Sequence, residues 1–276
     1  MTAPPRPSAE EVRVLPGGCY AGRTALVTGA GSGIGRAIAC RLVELGACVI
    51  GVGRRLALLQ ETAGLTADPD RMRVATLDIR DRPAASAFVS ALPRLDLLVN
   101  NAGGQFVAAA SATSPRGFAS VLDLNLTATA ALIQAARPAL AAAGGRVVSL
   151  SLSAPDRGIA GLAHSATARA GIAALTATAA HDWQGEGIRL FGLAPGTVRT
   201  AGVAGEVAGD VLDRALARSL LPRDTSLAEV AEWVAALGSG VLDVFSGTLF
   251  EIDGGSGLVD AASGLLQQPE EGAVGA

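Results

Sequence analysis

The sequence predicts a doubly wound (Rossmann-type) α/β fold, a single domain built on a seven-stranded parallel sheet. Three observations predict it. Short apolar runs suited to buried strands alternate with stretches of helical period, the pattern of βαβ units joined by right-handed crossovers. A length of 276 residues suits one large α/β domain. The first strand, Ala25-Leu26-Val27, feeds a glycine-rich turn, Thr28-Gly29-Ala30-Gly31-Ser32-Gly33-Ile34-Gly35, and a helical pattern leaves it from Arg36 to Leu45. Glycines lack a Cβ, so the backbone of such a turn can come close to a pyrophosphate, while the free amides and positive dipole end of the helix favour an anion. The spacing is Gly-x3-Gly-x-Gly rather than the commoner Gly-x-Gly-x2-Gly.

Composition narrows the function. Half the residues are apolar but only 3% are aromatic, so the core must be built from Ala, Val, Leu and Ile. The net charge is −3, with no basic block, which argues against nucleic acid as a partner. Apolar runs are interrupted before membrane-spanning length, and residues 1–16 have no apolar signal region, so a soluble, cytoplasmic chain with no membrane partner is expected. Cys19, Cys40 and Cys48 are odd in number and lack metal-ligand spacing, which points to reduced thiols and no metal. All 22 cationic residues are Arg; with no Lys, Schiff-base chemistry is excluded.

In chain order, residues 1–22, with Pro4, Pro5, Pro7 and Pro16, form a leading arm, 23–257 the domain and 258–276 a small, acidic, glycine-rich tail that is disordered or used at a subunit contact. Ala47 to Val52 is the second strand and stops at Gly53-Arg54-Arg55. An acidic residue there would bind an adenosine ribose; glycine followed by arginines leaves room for a 2′-phosphate and supplies guanidinium donors, so NADP is favoured over NAD. Arg73 to Leu77 is the third strand, ending at Asp78-Ile79-Arg80, and a helix follows over 80–91, for which Asp78 is a possible cap. Leu95 to Val99 is the fourth strand, followed by Asn100-Asn101-Ala102-Gly103-Gly104-Gln105-Phe106. Residues 116–143 read as one long helix bent near Pro138. Arg146 to Leu150 is the fifth strand, 165–183 a helix, Ile188 to Leu193 the sixth strand and Ala194-Pro195-Gly196-Thr197-Val198 a turn. Ser226 and Glu229 form a capping box opening a helix to Leu237, and Gly247 to Ile252 is the seventh strand, closing at Asp253-Gly254-Gly255.

These motifs together resemble the short-chain dehydrogenase/reductase family over roughly residues 12–257. The resemblance implies a nicotinamide cofactor held by Gly29, Ser32, Gly33, Ile34 and Gly35, by Arg54 and Arg55, by Asp78 and Ile79 at the adenine, by Asn100, Ala102 and Gly103, and by Pro195, Gly196 and Val198 at the nicotinamide. It also implies a substrate lid over 198–225 and a homodimer or homotetramer joined through the helices at 116–143 and 165–184. Asn125 matches the family's active-site asparagine, which holds a water in a proton relay.

The other catalytic positions depart from the family. Most members use a Ser, a Tyr and a Lys, with the Lys four residues after the Tyr and the Ser thirteen before it. The Ala170-Gly171 pair fixes the register and puts Arg169 at the Lys position, Ser165 at the Tyr position and Leu152 at the Ser position. Serine is too short and its pKa too high to replace a tyrosine, and arginine titrates too high to relay a proton, so Arg169 is expected to bind the cofactor rather than transfer protons. The only tyrosine, Tyr20, would have to fold across the site from the arm. Alternation along a strand sends Ser151 and Ser153 to the face opposite Leu152. His164 either tunes the pocket or anchors the helix start through a backbone hydrogen bond, the latter favoured; His181 belongs to the surface or a subunit contact; Asp156 and Arg157 lie in the loop over the pocket.

The segments Asn100–Phe106, Leu124–Thr127 and His164–Gly171 look like the trans-2-enoyl-CoA and 2,4-dienoyl-CoA reductases of the family. That narrower resemblance implies reduction of an activated C=C in an enoyl thioester or enone, with Asn125 and Ser165 as donors to the enolate. Ala154 and Ala173 stand where those enzymes carry tyrosines. Two alternatives remain: carbonyl or alcohol oxidoreduction through an atypical donor, and a non-redox or catalytically degenerate protein acting as cyclase, isomerase or cofactor sensor.

Overall fold

Alternate residues of each strand fill two different cores. Ala25, Val27, Leu97, Val99, Val148 and Phe191 face one side of the sheet, while Leu26, Leu98, Val147 and Leu190 face the other. Strands buried on both faces belong to a parallel sheet covered by helices on each side. The computed structural model describes residues 5, 7–153, 158–202, 209–217 and 219–258. Its strands are β1 Thr24–Thr28, β2 Cys48–Gly53, β3 Met72–Thr76, β4 Leu97–Asn100, β5 Arg146–Leu150, β6 Arg189–Pro195 and β7 Leu249–Ile252. All pairings are parallel, in the order β3-β2-β1-β4-β5-β6-β7, with Leu26 opposite both Ile50 and Leu98. The chain reverses its direction of winding between β1 and β4. In such sheets ligands bind in the crevice at the carboxyl ends of the strands flanking that point.

The helices are α1 Gly33–Glu44, α2 Leu56–Leu65, α3 Arg82–Ser90, α4 Pro115–Leu122, α5 Ala128–Ala141, α6 Ala163–Asp182, α7 Gly209–Leu216 and α8 Leu227–Ser239. Ile38 and Leu42 of α1, Leu59 of α2 and Val230 and Val234 of α8 close one core; Leu132 and Ile133 of α5 and Ala179 of α6 close the other. The expected capping box is complete: the Glu229 amide donates to Ser226 Oγ at 3.1 Å and the Ser226 amide to Glu229 Oε2 at 2.8 Å.

Several expectations change. The helix expected over 80–91 begins at Arg82, and its cap is Asp81, which accepts from the Ala84 amide, not Asp78. Pro138 does not end its helix, which continues to Ala141; lying near the C-terminus of α5, it leaves few turns to disrupt. The irregularity falls instead at Asp123–Thr127, one turn of π-helix between α4 and α5. The run Pro115–Ala141 is long and apolar enough by composition to cross a bilayer, contrary to the sequence reading. Buried Asn125 midway and the packing of α3 on α5 make it a wall of this domain. Helix α2 was not foreseen.

The described residues of the leading arm are anchored at α8 and the end of α1. The amides of Val14 and Leu15 donate to Glu232 of α8, both at 2.8 Å. Tyr20 is fully buried, its hydroxyl donating to the Ala235 carbonyl at 2.6 Å and its amide to the carbonyl of Leu45, just past the C-terminus of α1. That is the opposite end of the sheet, so Tyr20 is a core residue.

Candidate active site

At the β1/β4 switch point lies a cleft of ≈ 310 Å³, lined by Gly29, Gly31 and Ser32–Ile34, by Gly53–Arg55 after β2, by Asp78 and Ile79 after β3, by Asn101–Gly103 after β4, and by Leu124 and Thr200–Gly202. The glycine-rich turn has the shape its sequence implies. Gly29 adopts φ +68°, and a Cβ at Gly35 would collide with the Gly29 carbonyl oxygen. Ser32 caps α1 without a side-chain bond, so the first amides of the helix have no side-chain acceptor. Arg36 fastens the turn from behind, donating to the Gly31 carbonyl at 2.8 Å and to Glu61 and Thr62 of α2. A backbone cradle at a helix N-terminus, too tight for any Cβ at Gly35, fits a pyrophosphate.

The end of β2 is cationic. Arg54 and Arg55 are exposed, line the cleft and make no ion pair among the described residues. Asp78 faces them, but Arg80 already holds it through contacts of 2.6–3.2 Å, which keep its carboxyl below the ordinary carboxylate range.

At the other end of the cleft Asn101 braces the sheet. The Thr28 hydroxyl accepts the amides of Asn101 and Ala102 and donates to Val99, while Asn101 Nδ2 donates to the Thr28 carbonyl at 2.9 Å, locking β1 to β4. Asn100 lies buried in β4, with its amide nitrogen on Ser149, and does not line the cleft. Pro195 ends β6 opposite Ile252, and Gly196 lies so close to Asp253 that a Cβ would sit 2.8 Å from its Cα. Val198 points into the core beneath, so any contact it makes with a ligand is through its backbone. Of the expected lid, 198–202, 209–217 and 219–225 are described, and only its first residues line the cleft.

The four candidate catalytic residues converge on one short segment, Gly103 to Phe106. Asn125, in the π-turn, is 1% exposed; its Nδ2 donates to the Gly104 carbonyl at 2.8 Å and its Oδ1 accepts the Gly104 amide at 3.0 Å. Arg169 reaches over Gly103, where a Cβ would stand 2.5 Å from Nη2, and donates to the Leu150 carbonyl at 2.6 Å. It has no carboxylate partner among the described residues, and desolvation pushes its pKa down to about 10. Ser165, 1% exposed, donates to Gln105 Oε1 at 2.8 Å. His164 is fully buried, stacked on Phe106 with ring centroids 4.1 Å apart, and neither ring nitrogen has a partner among the described residues. The backbone anchor expected of it does not form, because the first turn of α6 turns this ring toward Phe106 instead. His181 is exposed.

β5 ends at Leu150, so strand alternation does not govern the serines beyond it. Ser151 donates to the Arg169 carbonyl and Ser153 to Asp253. Neither replaces the missing serine. Ala154, Asp156 and Arg157 lie outside the described residues. Thr28, Asn101 and Gln105 were assigned no role from the sequence, although all three stand in the two motifs that border the cleft.

A family model described as enoyl-(acyl carrier protein) reductase matches residues 29–257. This chain belongs to the short-chain dehydrogenase/reductase family. As a short-chain dehydrogenase/reductase it is an oxidoreductase, and the family works with a nicotinamide cofactor. It is 30% identical over 260 residues to a Caenorhabditis elegans protein named probable 2,4-dienoyl-CoA reductase 3, covering 88% of this chain and 82% of that one. It is 32% identical over 248 residues to the Bacillus subtilis protein named probable 2,4-dienoyl-CoA reductase, covering 86% and 97%. A Beutenbergia cavernae structure bearing the name of an NAD(P)-dependent gluconate 5-dehydrogenase, with NADP bound at low occupancy, superposes with a TM-score of 0.81 at 32% identity, covering 88% of this chain and all of that one. The chain has no Lys and its one tyrosine is Tyr20, so Ser165 and Arg169 bring neither a phenol nor an ammonium to the site.

Proposed function

We propose that this short-chain dehydrogenase/reductase uses NADP(H) to reduce an activated C=C, in an enoyl thioester or a related enone. The observation that carries the reading is the fate of the one tyrosine. Tyr20 is sealed under α8 at the far end of the sheet, so no phenol stands ready to protonate a carbonyl oxygen. Reduction of a conjugated C=C places its negative charge on a neighbouring carbonyl oxygen, which needs hydrogen-bond donors rather than an acid of matched pKa. The segment pinned by Asn125, Ser165 and Arg169 offers such donors. The dienoyl-CoA reductases among its relatives point to the same chemistry.

The preference for NADP(H) rests on Arg54 and Arg55, which line the cleft, make no ion pair among the described residues and could receive a 2′-phosphate, with no carboxylate at the end of β2 to accept ribose hydroxyls. The bound cofactor supplies the hydride. The chain's own residues do the rest: the glycine-rich turn and α1 bind the pyrophosphate, Arg169 hydrogen-bonds at the nicotinamide ribose, and Asn125 fixes the loop against which substrate lies. Initial rates of NADPH oxidation on enoyl thioesters, dienoyl thioesters and simple ketones, repeated with NADH, test the reading. Turnover confined to the conjugated thioesters or enones and faster with NADPH supports it; turnover of the ketones alone, or tight NADPH binding with no turnover of any acceptor, overturns it.

A further inference from the structure

Three consecutive residues after the β4 motif are each held by a different side chain. Gly104 is held through both its amide and its carbonyl by Asn125. Gln105 is held through Oε1 by the Ser165 hydroxyl at 2.8 Å, and Phe106 by its stack on His164. Ser165 is almost wholly enclosed and its hydroxyl is committed to Gln105, so it does not face a substrate. A carboxamide has one acceptor oxygen and two N–H donors. With Oε1 engaged, the orientation of the Gln105 amide is fixed, and Nε2, which has no partner among the described residues, remains a donor. The residue is half-buried and lies two positions after Gly103, which lines the cleft.

We propose that Gln105 Nε2 is the donor that receives the carbonyl oxygen of the substrate, and that Ser165 is its positioning residue. The proposal rests on the conjugated-thioester reading above. When bound, the cofactor would supply hydride to the β-carbon; the C=C pair would then form a double bond between the α-carbon and the carbonyl carbon, and the carbonyl π pair would move to oxygen. The Gln105 N–H hydrogen-bonds that oxygen without giving up its proton. The α-carbon then takes a proton from water as the carbonyl re-forms. An amide donor suits this task because it stabilises charge on oxygen at any working pH, and one such donor is worth about 10²–10³ in kcat.

The test uses an enoyl thioester labelled with ¹³C at the carbonyl, bound with oxidised cofactor, and reads the carbonyl stretch by difference infrared spectroscopy beside kcat. In the native protein the band moves to lower frequency on binding. Gln105→Leu abolishes that shift while the thioester still binds, and lowers kcat by about 100-fold. Gln105→Glu, which keeps the shape and the bond to Ser165 but loses the donor, behaves alike and guards against a folding defect in the leucine variant. Ser165→Ala loses about 10-fold and weakens the shift, and adding it to Gln105→Leu costs nothing more. A shift that survives in both Gln105 variants overturns the proposal, as does a Ser165→Ala loss that multiplies with that of Gln105→Leu. A native protein that neither binds nor reduces any thioester overturns the underlying reading itself.

Discussion

Asn125 and Gly104 exchange two hydrogen bonds, the side-chain amide pairing with a backbone amide and carbonyl as a neighbouring strand would. The π-turn makes this possible: one extra residue in the turn carries Asn125 inward from a helix that is otherwise regular. Asn125→Asp keeps the acceptor for the Gly104 amide but sets a carboxylate oxygen against the Gly104 carbonyl. A loss of about 1–3 kcal/mol in stability is expected, together with a fall in kcat larger than any change in KM for cofactor. Urea unfolding beside steady-state kinetics checks both.

Arg54 is the expected reader of a 2′-phosphate. Removing one charge-assisted contact of about 1.5–3 kcal/mol in Arg54→Ala raises KM for NADPH by roughly 10- to 100-fold, and leaves NADH kinetics nearly unchanged. Equal losses with both nucleotides would assign Arg54 a structural role.

Arg169 is a partly buried cation with no carboxylate beside it among the described residues, and its desolvation works against the ligand-free fold. Arg169→Met removes that charge and is expected to raise Tm by a few degrees, about 2–4 °C per kcal/mol gained, while abolishing most of the thermal shift that NADPH gives the native protein. A variant that melts lower without ligand would contradict the account.

His164 has two buried ring nitrogens without partners among the described residues. A buried polar group that makes no bond costs about 1–3 kcal/mol, and an apolar ring of similar shape does not bear that cost. His164→Phe should therefore keep the stack on Phe106 and raise Tm by several degrees, with kcat within a few-fold of native. A collapse of kcat with unchanged stability would make the imidazole a participant in the reaction.

Asp253 ties the loop after β5 to the turn after β7. Burial works to raise its pKa, but the hydroxyls of Ser153 and Ser256 and the amides of Gly255 and Gly257 outweigh it and hold the carboxyl below its ordinary range. A carboxylate whose folded pKa is depressed contributes stability that is complete above the unfolded value of about 4 and is lost as pH falls through the folded value. Glu232, lowered in the same way with Arg41 and the arm amides as partners, adds to the same limb. Thermal unfolding followed from about pH 7 down to pH 2 should show a steeper acid limb in the native protein than in Asp253→Asn.

The strands and the cofactor cradle were legible because their signals are local. Short apolar runs such as Ala25–Val27, the glycine spacing 29–35 and the Ser226/Glu229 box each specify their structure within a few residues. What escaped depends on distant partners. The π-turn that interrupts 116–143 presents Asn125 to Gly104, a partner far upstream in sequence. His164 gives up a backbone bond for the Phe106 ring, and Gln105 gains meaning only when Ser165 is brought to it by the packing of α6 on the sheet. Helix α2 was passed over because its apolar face is short, with Leu59 and Thr62 its only fully buried residues.

The account turns on where hydride arrives. NADPH carrying deuterium at its transferable position, mixed with an enoyl thioester in ordinary water, should give a saturated product with deuterium on the carbon β to an intact thioester carbonyl, located by NMR. Deuterium found on a carbinol carbon, or none transferred to any acceptor while NADPH is tightly bound, would contradict it.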